Sequence, residues 1–333
     1  CLTMVHILFW GREVATRRLN KMQRNWHCRT LGRSLLVKSA FRFGFAAVVG
    51  KPNVGKSSLV NRLTGVKVSI TSRRPQTTRN RILGIVNGPN YQLALVDTPG
   101  IHRPRGPLSQ SIDRAARNSI GSADITVMVI DARGWRQEDE RVWKAVEPSA
   151  QPLFLLINKI DLLDRPDRLL PLIQECGDRG RIEHIIPISA RSGHNLDRFL
   201  QLIEGSLPFD LPGFSLERRA ETNLDFSVAE LVREQIFRLV GAEIPYQSAV
   251  TVHALPTESA KKPEFHADIW VESSGQKAIL VGAGGQRLKS IGARARKQVE
   301  NLLGTSVVLI TRVRVRQGWS SDPSLIRNLG YGE

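Results

Sequence analysis

From Phe43 onward the chain alternates short apolar runs with longer amphipathic ones. Phe45–Val49, Gln92–Val96, Ile125–Ile130, Phe154–Ile157 and Ile185–Ile188 have strand length and few internal polar positions, as expected of strands buried in an open, mostly parallel sheet. Helix-like runs follow the first strand as far as Leu63 and the last over Asn195–Ile203. Leu207–Gly213, with two prolines and a glycine, then reads as a connection. A second set of elements follows it. The pattern predicts an amphipathic helix over Val228–Leu239, strands over Gln247–Leu255 and Phe265–Val271, a basic helix over Arg287–Leu303 and a strand over Ser306–Val315. Lys277–Val281 is ambiguous, because its Ile, Leu and Val favour a strand on periodicity alone.

Length and composition narrow the class. At 333 residues the chain suits two domains, and 41% hydrophobic with 24% charged residues excludes wholesale disorder. No apolar run nears the roughly 20 residues of a membrane-spanning helix. Cys1, Cys28 and Cys176 have neither disulfide-framework nor zinc-ligand spacing, which fits a reducing compartment without a structural metal. The net charge of +17 is concentrated at the ends. Residues 1–42 hold nine Lys/Arg against one acid, and residues 273–333 hold ten against three, so the middle carries only +2. Clustered cations of this kind suit a polyanion surface, since they displace counterions from phosphate.

Residues 1–42 lack clear periodicity. Their apolar stretch Met4–Trp10 precedes the arginines, the reverse of a secretory signal. The segment fits an upstream extension of a cytoplasmic protein, or an organelle transit peptide for the mitochondrial matrix or a plastid.

The chemistry begins where the first strand ends. Gly50-Lys51-Pro52-Asn53-Val54-Gly55-Lys56-Ser57, followed by Ser58, is a phosphate loop in its proper strand-to-helix context. Its glycines let successive N–H groups face phosphate oxygens at a helix N-terminus. Lys56 should reach the β- and γ-phosphates and Ser57 should ligate Mg²⁺. Asp97-Thr98-Pro99-Gly100 places a second Mg²⁺ carboxylate, Asp97, at a strand end, with the Gly100 N–H available to the γ-phosphate. Asn158-Lys159-Ile160-Asp161 and Ser189-Ala190 end two further strands. Asp161 can accept from N1–H and the 2-amino group of guanine, groups adenine does not offer there. Asn158 braces the loop, Lys159 covers the ring plane and the Ala190 N–H is a donor for O6.

With these motifs in order the chain resembles translation-factor-class GTPases, and more narrowly the Era family, from about Phe43 to Glu333. Val68–Arg79 is similar to that family's first switch, which makes Thr78, ahead of Thr77, the threonine that closes on Mg²⁺ and the γ-phosphate. Ile101 stands where Ras-like enzymes carry a water-orienting glutamine, so intrinsic hydrolysis should be slow. Related GTPases with asparagine at the position of Asn53 can bind K⁺ in place of an arginine finger; a loop-stabilising role is the other reading. His102 reads as a switch-loop surface residue. The catalytic set implied is Lys56, Thr78, Gly100 and Asn53, with Ser57, Thr78 and Asp97 around the metal.

The order of elements after the connection matches the type II KH module, in which a GxxG loop between two helices grips single-stranded RNA. That match makes the segment ending near Val281 a short helix, which Ser274 could cap. It also places Gly282-Ala283-Gly284-Gly285, with Arg287, Lys289, Arg294, Arg296 and Lys297 on the next helix, at the RNA. Ala283 departs from the family's usual Lys, and the residues after Gly213 match the family poorly.

The resulting expectation is a P-loop GTPase domain (43–207), a linker (208–224) and a smaller α+β KH domain (225–333) behind a basic extension (1–42). The resemblance implies GTP/GDP as ligands and binding of small-subunit ribosomal RNA near its 3′ end. It also implies a role in assembly or maturation of the small ribosomal subunit, in the cytoplasm, with peripheral contact at the inner membrane face left open. The rival readings are a tRNA-modification GTPase, which would end in a cysteine motif absent here, and an RNA-binding protein that uses GTP only structurally.

Overall fold

The structure is a computed structural model and describes residues 41–70, 79, 82–101, 107–221, 223–241, 243–255 and 262–329. The predicted switch threonine Thr78, its neighbour Thr77, His102 and the basic extension up to residue 40 lie outside the described residues.

Seven strands form the first sheet: β1 (Arg42–Val49), β2 (Ile82–Asn87), β3 (Tyr91–Asp97), β4 (Ile125–Asp131), β5 (Leu153–Asn158), β6 (His184–Ile188) and β7 (Ala220–Glu221). Their order is β6-β5-β4-β1-β3-β2-β7. β1, β3, β4, β5 and β6 are parallel, while β2 runs antiparallel to both β3 and β7. Every residue of β3, β4 and β5 is buried, because helices cover both faces of the sheet. The faces divide by parity. Ile125, Val127 and Val129 of β4 join Phe154 and Leu156 of β5 in one core, and Met128 and Ile130 join Leu155 and Ile157 in the other.

The flanking helices are α1 (Lys56–Thr64), α2 (Pro107–Ser122), α3 (Gln137–Val146), α4 (Leu169–Gly177) and α5 (Leu196–Ser206). The strand order reverses direction at β1, so the loop from β1 into α1 opens at the crevice where open α/β sheets bind ligands.

Within the stretch read as a linker, residues 208–221 lie along this domain. Phe209 bridges to Arg42, and the Phe214 ring meets Phe43 at 6.0 Å and Phe45 at 6.3 Å. Gln92 binds the Phe214 backbone in both directions, and β7 then extends the sheet edge at β2.

The second domain holds α6 (Leu224–Leu239), β8 (Ser248–Leu255), β9 (Glu264–Val271), α7 (Ser274–Val281), α8 (Gln286–Leu303), β10 (Val308–Val315) and α9 (Pro323–Asn328). Its sheet order is β10-β9-β8, with β9 parallel to β10 and antiparallel to β8. Residues alternate along β9 between buried and half-buried, which is the pattern of a sheet with two unlike faces. The ambiguous segment 277–281 is helical. Ser273, not Ser274, is its cap and accepts from the Gln276 N–H at 3.3 Å, while Leu280 is driven into the core between α6 and α8. Capping and burial here override the β preference of the individual residues.

Candidate functional site

The phosphate loop is shaped by close backbone approach. A Cβ on Gly50 would stand 2.4 Å from the Val129 carbonyl, and one on Gly55 would stand 2.3 Å from Asn158 Nδ2. Asn53 is held in the left-handed region at φ 66°. Gly100 brings the end of β3 against the loop, since a Cβ there would lie 2.9 Å from the Pro52 nitrogen. Lys56 opens α1 and is 6% exposed. Its Nζ donates to the carbonyls of Gly50 at 3.0 Å and Lys51 at 3.1 Å. Burial lowers its pKa from 10.5 to about 8, and the nearby Asp97 opposes that shift. A cation in this position is poised to exchange carbonyl partners for phosphate oxygens.

Asp97 is fully buried and pairs with Val48 of β1 on one side and Ile82 of β2 on the other. Thr98 Oγ1 donates to the Val48 carbonyl at 2.8 Å, which fixes the exit from the strand. The residues present fit Mg²⁺. The Asp97 carboxylate and the Ser57 hydroxyl are hard oxygen donors of the kind this ion accepts, and the glycine-walled cradle beside them leaves room for the nucleotide phosphates. Ile101 is 1% exposed and packs in the core with Val49 and Ile130, so it has no access to an attacking water.

The base side is braced by Asn158, which donates from Nδ2 to the Val54 carbonyl at 2.7 Å and accepts the Ala190 N–H on Oδ1 at 2.9 Å. Ala190 N–H therefore has a protein partner in this arrangement, and a guanine O6 would have to share it. Ser189 Oγ donates to Asp161 Oδ1 at 2.6 Å and accepts the Ser192 N–H at 3.1 Å, which fixes the carboxylate that should read the base edge.

Two residues the sequence reading passed over support this site. Asp131, at the end of β4, accepts Lys159 Nζ at 2.8 Å while that ammonium also donates to the Asn53 carbonyl. Burial would raise the Asp131 pKa, but hydrogen bonds from Arg133 and Lys159 hold its carboxyl well below the usual carboxylate range. Asp139 accepts Lys51 Nζ at 2.5 Å and caps the first turn of α3 through the Arg136 N–H. Lys51 thus turns its ammonium toward α3 and offers the nucleotide its backbone. Asp131 had a legible signal, a carboxylate directly after an apolar strand. Asp139 had none, because its partner comes from a distant loop. Cys176 is buried and its thiol is pushed up to about 11, chiefly by burial, so it is no nucleophile.

In the second domain Gly282–Gly285 joins α7 to α8, with Gly282, Gly284 and Gly285 at φ 72°, 55° and 77°. Ile291, Ala295 and Val299 form the buried stripe of α8, leaving Arg287, Lys289, Arg294, Arg296 and Lys297 exposed. Arg287 Nη1 also donates to the Ile279 carbonyl, clamping the two helices across the loop. The loop itself is open, with Ala283 and Gly284 exposed. The arrangement offers an open glycine loop, a helix N-terminus and a cationic flank to a phosphate chain.

Family models for a 50S ribosome-binding GTPase and for a KH domain match residues 45–159 and 243–320 respectively. GTPase Era of Stenotrophomonas maltophilia strain R551-3 is 43% identical over 86% of this chain and 97% of its own length. The Lactobacillus delbrueckii protein of the same name is 40% identical over 88% and 97%. Two solved structures superpose with a TM-score of 0.85 at 38% identity, each covering 88% of this chain and 100% of its own. They are a single-residue variant of Aquifex aeolicus Era bound to GDP·AlF4⁻, and Era in complex with MgGDPNP and nucleotides 1506–1542 of 16S ribosomal RNA. With the guanine-reading loops, the phosphate cradle and the KH module all in one chain, this protein belongs to the GTPase Era family and hydrolyses GTP.

Proposed function

We propose that this GTPase binds the 3′ end of small-subunit ribosomal RNA through its KH domain and acts, under control of its nucleotide state, in assembly or maturation of the small ribosomal subunit. The open Gly282–Gly285 loop set against the exposed cations of α8 carries the reading. Superposition on an Era structure that holds MgGDPNP and a 16S fragment supports it. Ser57 and Asp97 would hold Mg²⁺, which would offset charge developing in phosphoryl transfer. The chain's own work is to hold the phosphates with loop amides and Lys56 and to bind the base at Asp161. With Ile101 buried in the core, no side chain at that position orients water, and the intrinsic rate is slow.

The same reading places K⁺ beside Asn53, where it would balance charge between the β- and γ-phosphates. Turnover should rise when K⁺ replaces Na⁺ at equal ionic strength, and Asn53→Ala should remove the difference. Equal rates in both salts would leave Asn53 a loop residue. We place the protein where ribosomes are assembled: the cytoplasm, or the matrix or plastid if residues 1–42 are a transit peptide. No helix among the described residues is long and apolar enough to cross a membrane.

Multiple-turnover phosphate release with and without small ribosomal subunits tests the proposal. Stimulation by small subunits is expected. Release stimulated by tRNA instead would favour the tRNA-modification reading, and no turnover under any condition would leave GTP a structural ligand.

A further inference from the structure

Among the described residues, three joints hold the KH domain to the GTPase domain, and each is rooted in an element of the nucleotide site. The first starts from α1, the helix of Lys56 and Ser57. Asn61 on α1 accepts the Val68 and Ser69 N–H groups at 2.8 Å and donates to the Ser69 carbonyl at 2.7 Å, so residues 67–69 move with that helix. Lys67 then pairs with Glu234 of α6, a fully buried carboxylate that also accepts Arg238 at 2.7 Å. The second joint is Arg79, three residues before Ile82, whose partner in the β2–β3 ladder is Asp97. Its guanidinium is buried, at 3% exposure. It donates to three carbonyls of one KH turn: Ser248 at 2.7 Å, Pro245 at 2.8 Å and Tyr246 at 2.9 Å. The third joint is apolar. Leu108 and Ile112 of α2, a few residues beyond Gly100, share a cluster with Ala249 of β8, Trp319 and Ile326.

These joints differ physically. The apolar cluster is non-directional and can act as a pivot. The Arg79 fork is directional, because a planar guanidinium meets three carbonyl oxygens in only one orientation, and breaking it strips a buried cation of these partners. The acceptors belong to the short 3₁₀ turn Ile244–Gln247 and to Ser248, the residue after it. We infer that Arg79 is the positioning residue through which the nucleotide site sets the orientation of the KH domain, with Lys67–Glu234 as a weaker second link. The inference rests on the RNA-binding reading above and adds the residues that carry the control.

The test is a linkage measurement on the full chain. The affinity of RNA matching nucleotides 1506–1542 of 16S rRNA is titrated by fluorescence anisotropy with GDP and with a non-hydrolysable GTP analogue. Parent protein should bind with affinities that differ by about fivefold or more between the two nucleotides, the usual scale of allosteric coupling. In Arg79→Ala that ratio should fall to within about twofold of one, while nucleotide affinity without RNA stays within about threefold of the parent. Arg79→Lys, which keeps the charge but loses the fork, should retain part of the ratio, as should Lys67→Ala. A merely structural role would lower both RNA affinities together and preserve the ratio. A preserved ratio in folded Arg79→Ala overturns the inference, and so does a parent that binds RNA equally in both states. Energy transfer between one dye on each domain gives a readout without RNA. If the parent fails to bind RNA, the RNA-binding reading falls, and the inference is decided by whether Arg79→Ala abolishes the nucleotide-dependent change in transfer, with an unchanged response or a parent that shows none overturning it.

Discussion

The two binding regions of this protein solve the same problem, recognition of a phosphorylated ligand, in opposite ways. Around the nucleotide, the working groups sit at the carboxyl ends of the parallel strands, most of them buried, while Asp161 is exposed on the loop after β5. Asp97 and Ser189 are 0% exposed, Asn158 is 2% exposed, and Asp161 is held by Ser189. Around the RNA loop, the working groups are exposed, and apart from Arg287 on the Ile279 carbonyl and Arg296 near Glu300 they face outward. A braced site can reject a base that leaves one donor unpaired. An exposed cationic surface beside an open glycine loop binds a chain of phosphates and is sensitive to salt. The first region is built for discrimination between bases and the second for a grip on a chain of phosphates.

The largest expected effect breaks one region and spares the other. Gly284→Asp should abolish RNA binding and leave GTP affinity intact. A Cβ at Gly284 meets nothing within 4 Å, and aspartate tolerates left-handed backbone better than most residues, so the domain should stay folded while a carboxylate repels the phosphates. Gly282 would be the wrong choice, because a Cβ there would lie 2.8 Å from Arg287 Cβ. Anisotropy titration and calorimetry of the same sample measure both halves of the prediction.

Asp161→Asn should do the reverse. It mispairs a guanine edge inside a braced site, which should cost GTP binding on the order of 2–4 kcal/mol and shift preference toward xanthine nucleotides. RNA affinity of the nucleotide-free protein should not change. GTP affinity equal to the parent's in calorimetry would remove Asp161 from the base site.

A subtler consequence concerns Lys56. With its pKa lowered to about 8 by burial, the nucleotide-free protein sheds this proton in a window where the unfolded chain, near 10.5, still keeps it. Stability of the nucleotide-free fold therefore gains from this group as pH rises through that window. Phosphate oxygens restore the charged form, so nucleotide binding at about pH 8.5 should take up roughly half a proton or more, and close to none at about pH 7. Calorimetry in buffers of different ionisation enthalpy reads that uptake directly. The smallest effect belongs to the exposed region: Ala283→Lys should tighten RNA binding by roughly 0.5–1.5 kcal/mol, the scale of one added hydrogen-bonding contact at a solvated surface.

The same contrast explains what could be read in the sequence. Strand ends such as Val96–Asp97 and Ile157–Asn158 were legible because an apolar run stops abruptly at a polar residue, and the phosphate loop was legible because its spacing is set by backbone geometry. Helices α2, α3 and α4 were not drawn from the pattern, and neither was α9, which is short and capped by Asp322. Trp319, fully buried against α2 and β8, gives no local sign of its partners. Arg79 was read as the end of a switch motif, yet it binds carbonyls well over a hundred residues away, and pairings of that kind exist only in the folded chain.

The most direct test of the account is to crosslink the protein to RNA in cells and sequence what is recovered. The account predicts reads concentrated at the 3′ end of small-subunit ribosomal RNA in the parent and lost from that site in Gly284→Asp. Reads dominated by tRNA, or a 3′-end signal that Gly284→Asp leaves unchanged, would contradict it.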